Sequence, residues 1–178
     1  MENANLYVVT GGPGSGKTTV LRELERRGYG FVPEVARQII QEQVAQGGDA
    51  LPWGDRARYT RMMLGRSIES YLAHTTRTGT TFADRGIPDT LCYARLIGLK
   101  DDAAIREACG SYRYASVVFL APAWRKIYIT DDERKQDYAE AERTTELMKA
   151  VYEECGYEVV ELPKASPEKR AEFILQHL

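Results

Sequence analysis

The stretch VVTGGPGSGKTT, residues 8–19, constrains this chain more than any other. Four residues separate Gly11 from the triplet Gly16, Lys17 and Thr18. A short apolar, β-prone run at 6–10 precedes the glycines, and residues 18–27 follow with helical spacing through Val20, Leu21 and Leu24 before Gly28. Strand, glycine loop, helix is the local reading. Glycines between a strand and a helix N-terminus let successive backbone N–H groups face one concavity, and the helix end adds partial positive charge. The concavity suits phosphate, so Gly11, Gly12, Pro13, Gly14, Ser15, Gly16, Lys17, Thr18 and Thr19 are expected to wrap a nucleoside triphosphate. Lys17 is expected to reach the β and γ phosphates and the Thr18 hydroxyl to meet Mg2+. A glycine-rich turn that binds nothing is the competing reading, and the flanking strand and helix argue against it.

The rest of the chain alternates in the same way. Strands are predicted at 30–32, 80–83, 117–120 and 157–162. Helices are predicted from Pro33 towards Gly47, over 55–77, from Asp89 and Thr90 to Gly98, over 101–109, over 138–155 and over 167–178. Thr130 and Glu133 have capping-box spacing. Strands that alternate with helices pair in parallel through crossover helices, which gives an α/β fold: a three-layer α/β/α sandwich on about five parallel strands. Ligands of such sheets sit at the carboxyl ends of the strands, where the glycine loop lies. No internal repeat or linker divides the chain, so residues 1–178 are read as one domain.

Composition narrows the partners. With 43% apolar residues in 178, one good core can form, and a formal charge of -2 gives no general attraction to nucleic acid. Neither a signal-type start nor an apolar run of membrane-spanning length occurs, so a cytoplasmic protein with no membrane partner is expected. Cys92, Cys109 and Cys155 lack the paired spacing of a zinc or redox site and are read as small packed hydrophobes. The oligomeric state stays open, a homodimer included.

Residues beyond the loop must decide what happens to the nucleotide. Asp84 closes a predicted strand, where an acid completes a magnesium shell through water or else caps the turn. Arg85 beside it either neutralises phosphoryl charge or forms a surface ion pair. Glu34, just past the second strand, is a candidate proton acceptor, and equally a first-turn acid that meets the helix dipole. Arg37, one turn on, holds substrate or pairs with Glu34. The charged segment at about 122–143 is a candidate lid with Arg134 in it, although most of its charges read as a solvated helical face. Trp53 and Trp124 are candidates for stacking on a ring, against the commoner fate of partial burial.

At these residues the chain resembles the small P-loop ATPases and kinases labelled AAA-type, a family that includes the ribosylnicotinamide kinase domain of NadR. The resemblance rests on GGPGSGKTT, VPEVAR, ADRGIPDTLCY and YEECGYEVVELP. It implies a P-loop NTPase fold of the nucleoside/nucleotide-kinase type, with ATP and Mg2+ as cofactors. By the same likeness Glu34 matches the proton-accepting carboxylate, Asp84 and Arg85 the acid-arginine pair beside the transferred group, and Lys164 and Ala165 the loop that faces adenine. The adenylyltransferase domain that accompanies the kinase in NadR has no counterpart in these residues. VVFLAP lacks the acidic pair of AAA motors, and no guanine-reading Asn/Thr-Lys-x-Asp element occurs. A small-molecule kinase acting on a nucleoside-like hydroxyl is therefore expected, with a nucleotide-binding regulatory ATPase or GTPase as the alternative.

Overall fold

The computed structural model describes residues 2–76, 78–100, 102–127 and 138–178. The predicted cap at Thr130 and Glu133, and Arg134 of the candidate lid, lie outside them. In chain order the elements are β1 (Leu6–Thr10), α1 (Lys17–Arg26), β2 (Gly30–Val32), α2 (Val35–Gln46), α3 (Arg56–Ala73) and β3 (Thr81–Asp84). Then follow α4 (Ile87–Leu96), α5 (Ala103–Ser111), β4 (Val117–Leu120), a 3-10 turn (Arg125–Ile127), α6 (Tyr138–Glu154), β5 (Glu158–Glu161) and α7 (Pro167–Leu175).

The strands form one parallel sheet in the order β2-β3-β1-β4-β5. Its central strands are buried on both faces by alternate residues, as parallel strands between helices must be. Val8, Ala83, Val118 and Leu120 pack with Leu91, Ile105, Val151 and Tyr152 from α4, α5 and α6. The intervening Val9, Phe82 and Phe119 pack with Val20, Leu21 and Leu24 of α1 and with Ala171 and Ile174 of α7. These two layers and the sheet make the three-layer α/β/α sandwich. A smaller cluster of Ala36, Ile39, Tyr59 and Met63 joins α2 to α3 at one end.

Because β1 is central, the loop that follows it opens in the middle of the sheet's carboxyl edge. Parallel register places the site. Val9 lies opposite Asp84, and Val32 lies opposite Ala83, so the residues just beyond β1, β2 and β3 converge there.

Two helix starts differ from the sequence expectation. Pro33 precedes α2 rather than sitting in its first turn, and Glu34 is an extended N-cap residue without a capping hydrogen bond. Its carboxylate is engaged by Arg85 instead. α4 begins at Ile87, ahead of Asp89 and Thr90. Asp89 reaches back from inside the first turn to accept the Gly86 N–H at 2.8 Å, which satisfies an amide at the helix start. α3 also stops at Ala73, short of the predicted end.

Cys92 and Cys109 are buried and Cys155 is half-buried, all as free thiols. No helix among the described residues is long and apolar enough to cross a membrane.

Candidate functional site

The loop after β1 is held by its own backbone. Gly11 takes φ 140, and a Cβ there would collide with the Ala121 carbonyl that follows β4. The Ser15 hydroxyl donates to the Gly12 carbonyl at 2.8 Å. Gly16 is the left-handed N-cap of α1, with φ 81. Lys17 is buried and its ammonium donates to the carbonyls of Gly11 (2.9 Å) and Gly12 (3.2 Å). Burial, aided by the nearby Arg85 charge, lowers Lys17 to about 8 against the opposing pull of Asp84, Glu34 and Asp89. Thr18 is exposed on the first turn of α1, and the Thr19 hydroxyl donates to the Gly16 carbonyl at 2.8 Å.

Beside the loop lies a cluster of buried charge. Asp84 ends β3, and its Oδ1 is buried without a hydrogen-bond partner. Burial pushes its carboxyl above the usual range and the Glu34 charge adds to this, while Lys17 opposes. Arg85 follows in the left-handed region, φ 75, a conformation that costs a non-glycine residue about 1–3 kcal/mol. Three hydrogen bonds to oxygen hold it there. Its backbone N–H donates to the Val9 carbonyl at 3.1 Å, its Nε to Glu34 Oε1 at 2.8 Å and its Nη1 to Asp89 Oδ1 at 3.0 Å. Burial would lower the Arg85 pKa, but the carboxylates of Glu34, Asp89 and Asp84 outweigh it and the group stays charged. Burial likewise pushes Glu34 up, yet the Arg85 and Lys17 charges leave it below the ordinary carboxylate range. Glu34 is therefore ionised at neutral pH and able to receive a proton.

Asp89 organises this cluster from beneath. It is 3% exposed and accepts from Thr10 Oγ1 and the Tyr152 hydroxyl, both at 2.6 Å, as well as from Gly86 and Arg85. In the sequence Asp89 reads only as a helix start. The Arg85–Asp89 spacing of one helical turn is the one local signal of its role. Tyr152, far along the chain, carries none.

Two cavities flank the loop. The smaller, about 450 Å3, lies against Gly14, Ser15, Gly16, Lys17, Thr18 and Thr19 on one side and Trp124, Ala165, Ser166 and Arg170 on the other. The larger, about 770 Å3, has Glu34, Arg85 and Asp89 at its charged end and Trp53, Tyr59, Met63 and Tyr93 among its walls. Pro13 lines the larger and Gly14 the smaller, so the glycine loop runs between them. Tyr59 and Tyr93 meet edge to face at 5.3 Å, and the buried Tyr93 hydroxyl has no hydrogen-bond partner. Trp53 is 61% exposed. Arg37 does not line the larger cavity, but its charge helps to hold Glu34 low. Tyr59, Tyr93 and Arg170 carry no sequence signal, because each reads as an ordinary helix residue.

The donors at the loop fit a hard cation. An unpartnered carboxylate oxygen on Asp84, an exposed hydroxyl on Thr18 and the phosphates that the loop would hold are oxygen ligands of the type Mg2+ takes.

A family model described as AAA domain matches residues 6–170. No curated protein matches the chain in sequence. Among solved structures, the NadR protein in complex with NR superposes with a TM-score of 0.69 at 21% identity, covering 97% of this chain and 49% of that one. Shikimate kinase from Acinetobacter baumannii in complex with shikimate gives 0.59 at 20% identity, with coverages of 97% and 92%. Thymidylate kinase from Ehrlichia chaffeensis gives 0.63 at 14% identity, with 98% of each chain covered. At these identities the likeness is one of fold. With its glycine loop, central β1 and parallel five-stranded sheet, the chain belongs to the AAA domain family and has the P-loop α/β fold seen in small-molecule and nucleotide kinases.

Proposed function

We propose that this chain is a magnesium-dependent kinase that moves the γ-phosphoryl group of ATP to a hydroxyl of a nucleoside-like or other small metabolite. The observation that carries the reading is the larger cavity. Its volume of about 770 Å3 suits a small molecule, and it opens onto Glu34 and Arg85 beside the glycine loop. A protein that only bound and released nucleotide would have no need of an acceptor-sized space at that point. Neighbours of the same fold are described with shikimate, with NR and with dATP, which supports small, hydroxyl-bearing ligands for this cavity.

The chemistry follows from charge placement. The loop amides and Lys17 take the phosphates, and the base and ribose occupy the space between Trp124, Ala165 and the loop. Thr18 and Asp84 would hold Mg2+, and the ion would neutralise charge on the phosphates. The acceptor hydroxyl lies against Glu34, which receives its proton as the oxygen bonds to the γ phosphorus and the bond to the β–γ bridging oxygen breaks. Proton acceptance of this kind contributes roughly a hundredfold to ten-thousandfold. Arg85, fixed by Asp89, steadies the charge on the group in flight. Trp53 and Tyr93 position the acceptor, and Arg37 tunes the field around Glu34.

The test is a screen for γ-phosphate transfer over nucleosides, ribosides and small hydroxylated acids, with wild type and Glu34→Gln side by side. Transfer by the wild type that disappears in the variant, with nucleotide affinity intact, is the expected result. Full turnover in Glu34→Gln would remove Glu34 from the reaction. Nucleotide binding with no transfer to any acceptor would favour a regulatory ATPase instead.

A further inference from the structure

Arg170 lies on α7, the helix that closes the fold, and is 1% exposed. Two of its donors are used: Nε to the Pro163 carbonyl and Nη1 to the Ser15 carbonyl of the glycine loop, each at 2.8 Å. The third nitrogen, Nη2, is buried with no partner. The Trp124 ring lies 5.3 Å from the guanidinium carbon. No carboxylate pairs with this charge among the described residues, and burial alone pulls its pKa down.

The contrast within the molecule is informative. Arg85 meets two carboxylates, and Arg27, at the end of α1, is held by Glu23. A buried guanidinium without a counter-ion and with an idle N–H is costly unless something else neutralises it. Arg170 lines the 450 Å3 cavity together with Lys17 and Thr18, where an anion would do so.

We propose that Arg170 is a nucleotide-binding residue: the anionic nucleotide supplies the counter-charge and the acceptor that the folded chain withholds from its guanidinium. This rests on the reading of the glycine loop as a triphosphate site. Through its bonds to Ser15 and Pro163 the same side chain ties the loop to the segment leading into α7, so nucleotide binding tightens that helix against the sheet.

The test is calorimetry with Mg2+ and the non-hydrolysable β,γ-imido analogue of ATP, and separately with adenosine, on wild type, Arg170→Gln and Arg170→Lys. Thermal melts check that each variant folds. Losing a charge-assisted contact is expected to weaken the imido analogue by about tenfold or more in Arg170→Gln. Adenosine, which carries no charge, is expected to change by less than about threefold. Lysine is expected to restore part of the triphosphate affinity, because it returns the charge without the fork. A folded Arg170→Gln with unchanged affinity, or with equal losses for both ligands, would overturn the inference, since a packing role predicts the latter. Wild-type amide exchange keeps the test open if the variant does not fold. Exchange across 167–175 is expected to slow on adding the imido analogue, and unchanged exchange would overturn the proposal. Failure of the wild type to bind any triphosphate would sink the glycine-loop reading and this inference together, whereas binding without an effect at Arg170 sinks this inference alone.

Discussion

The Tyr152 hydroxyl on α6 donates to Asp89 Oδ2 on α4 at 2.6 Å, across 63 residues of sequence. Burial, with the Asp89 charge next in size, pushes the Tyr152 pKa well up, so this hydroxyl remains a donor at any working pH. The other oxygen of the same carboxylate accepts from Thr10, the last residue of β1, and from Arg85. One buried acid thereby fixes the start of the glycine loop relative to the arginine that faces the larger cavity.

Asp89→Asn removes the charge that orients Arg85 but leaves the glycine-loop amides in place. The turnover number of the proposed kinase is expected to fall about tenfold to a hundredfold, with nucleotide affinity within about threefold of wild type. Breaking a buried charge pair also destabilises the fold, here by about 3–5 kcal/mol. Steady-state kinetics and urea denaturation measure the two effects.

The chain has 2 tryptophans, and the structure places Trp53 on the larger cavity and Trp124 on the smaller. Trp53→Phe is expected to keep a nucleotide-dependent change in fluorescence, whereas Trp124→Phe is expected to lose it. Trp53→Ala is expected to raise the KM for the acceptor by about tenfold while leaving nucleotide affinity alone, because only the acceptor loses a stacking face.

Gly11 and Gly28 both take positive φ, 140 and 94, but only Gly11 faces a close neighbour, the Ala121 carbonyl. A methyl group on Gly28 would meet nothing within 4 Å. Gly28→Ala is therefore expected to cost about 1–2 kcal/mol from backbone conformation alone. Gly11→Ala is expected to cost about 3 kcal/mol or more and to abolish nucleotide binding, since the loop must leave β4 to relieve the collision. Denaturant midpoints and calorimetry separate these outcomes.

Glu23 on α1 accepts from Arg26 at 2.8 Å and from Arg27 at 2.7 Å. These hydrogen bonds hold its carboxyl at about 2, below its ordinary value of 4.5. A folded-state pKa below the unfolded one gives stabilisation that is complete above about pH 4.5 and lost as pH falls towards 2. The wild-type urea midpoint should therefore drop through that window more steeply than that of Glu23→Gln, and the two curves should approach one another near its lower end. Parallel curves would show that the pairing does not contribute.

Some of this is legible in the chain because it is decided within about ten residues. Glycine spacing, the preceding apolar strand and the following helical pattern fix the glycine loop, since a loop of this kind is made of consecutive backbone amides and one helix end. The strands at 6–10, 30–32 and 117–120 are equally local, set by apolar β-prone runs between turn residues. Helix starts depart from the sequence pattern where a side chain has a better partner than its own helix. Glu34 turns to Arg85, and Asp89 serves Gly86 from inside the turn.

What only tertiary structure decided is which buried charges meet. Glu34 and Arg85 are 51 residues apart, and they pair because β2 lies beside β3 in a register that sets Val32 opposite Ala83, two residues before each partner. The same assembly brings Tyr152 beneath Asp89 and carries Arg170 to Ser15, 155 residues away. Ion pairs and orphaned donors depend on distances set by strand order and helix packing, and no local pattern encodes those distances. The sequence by itself thus determined a glycine loop of phosphate-binding pattern at the mouth of the sheet; the packed sheet decided which carboxylates and guanidinium groups surround it.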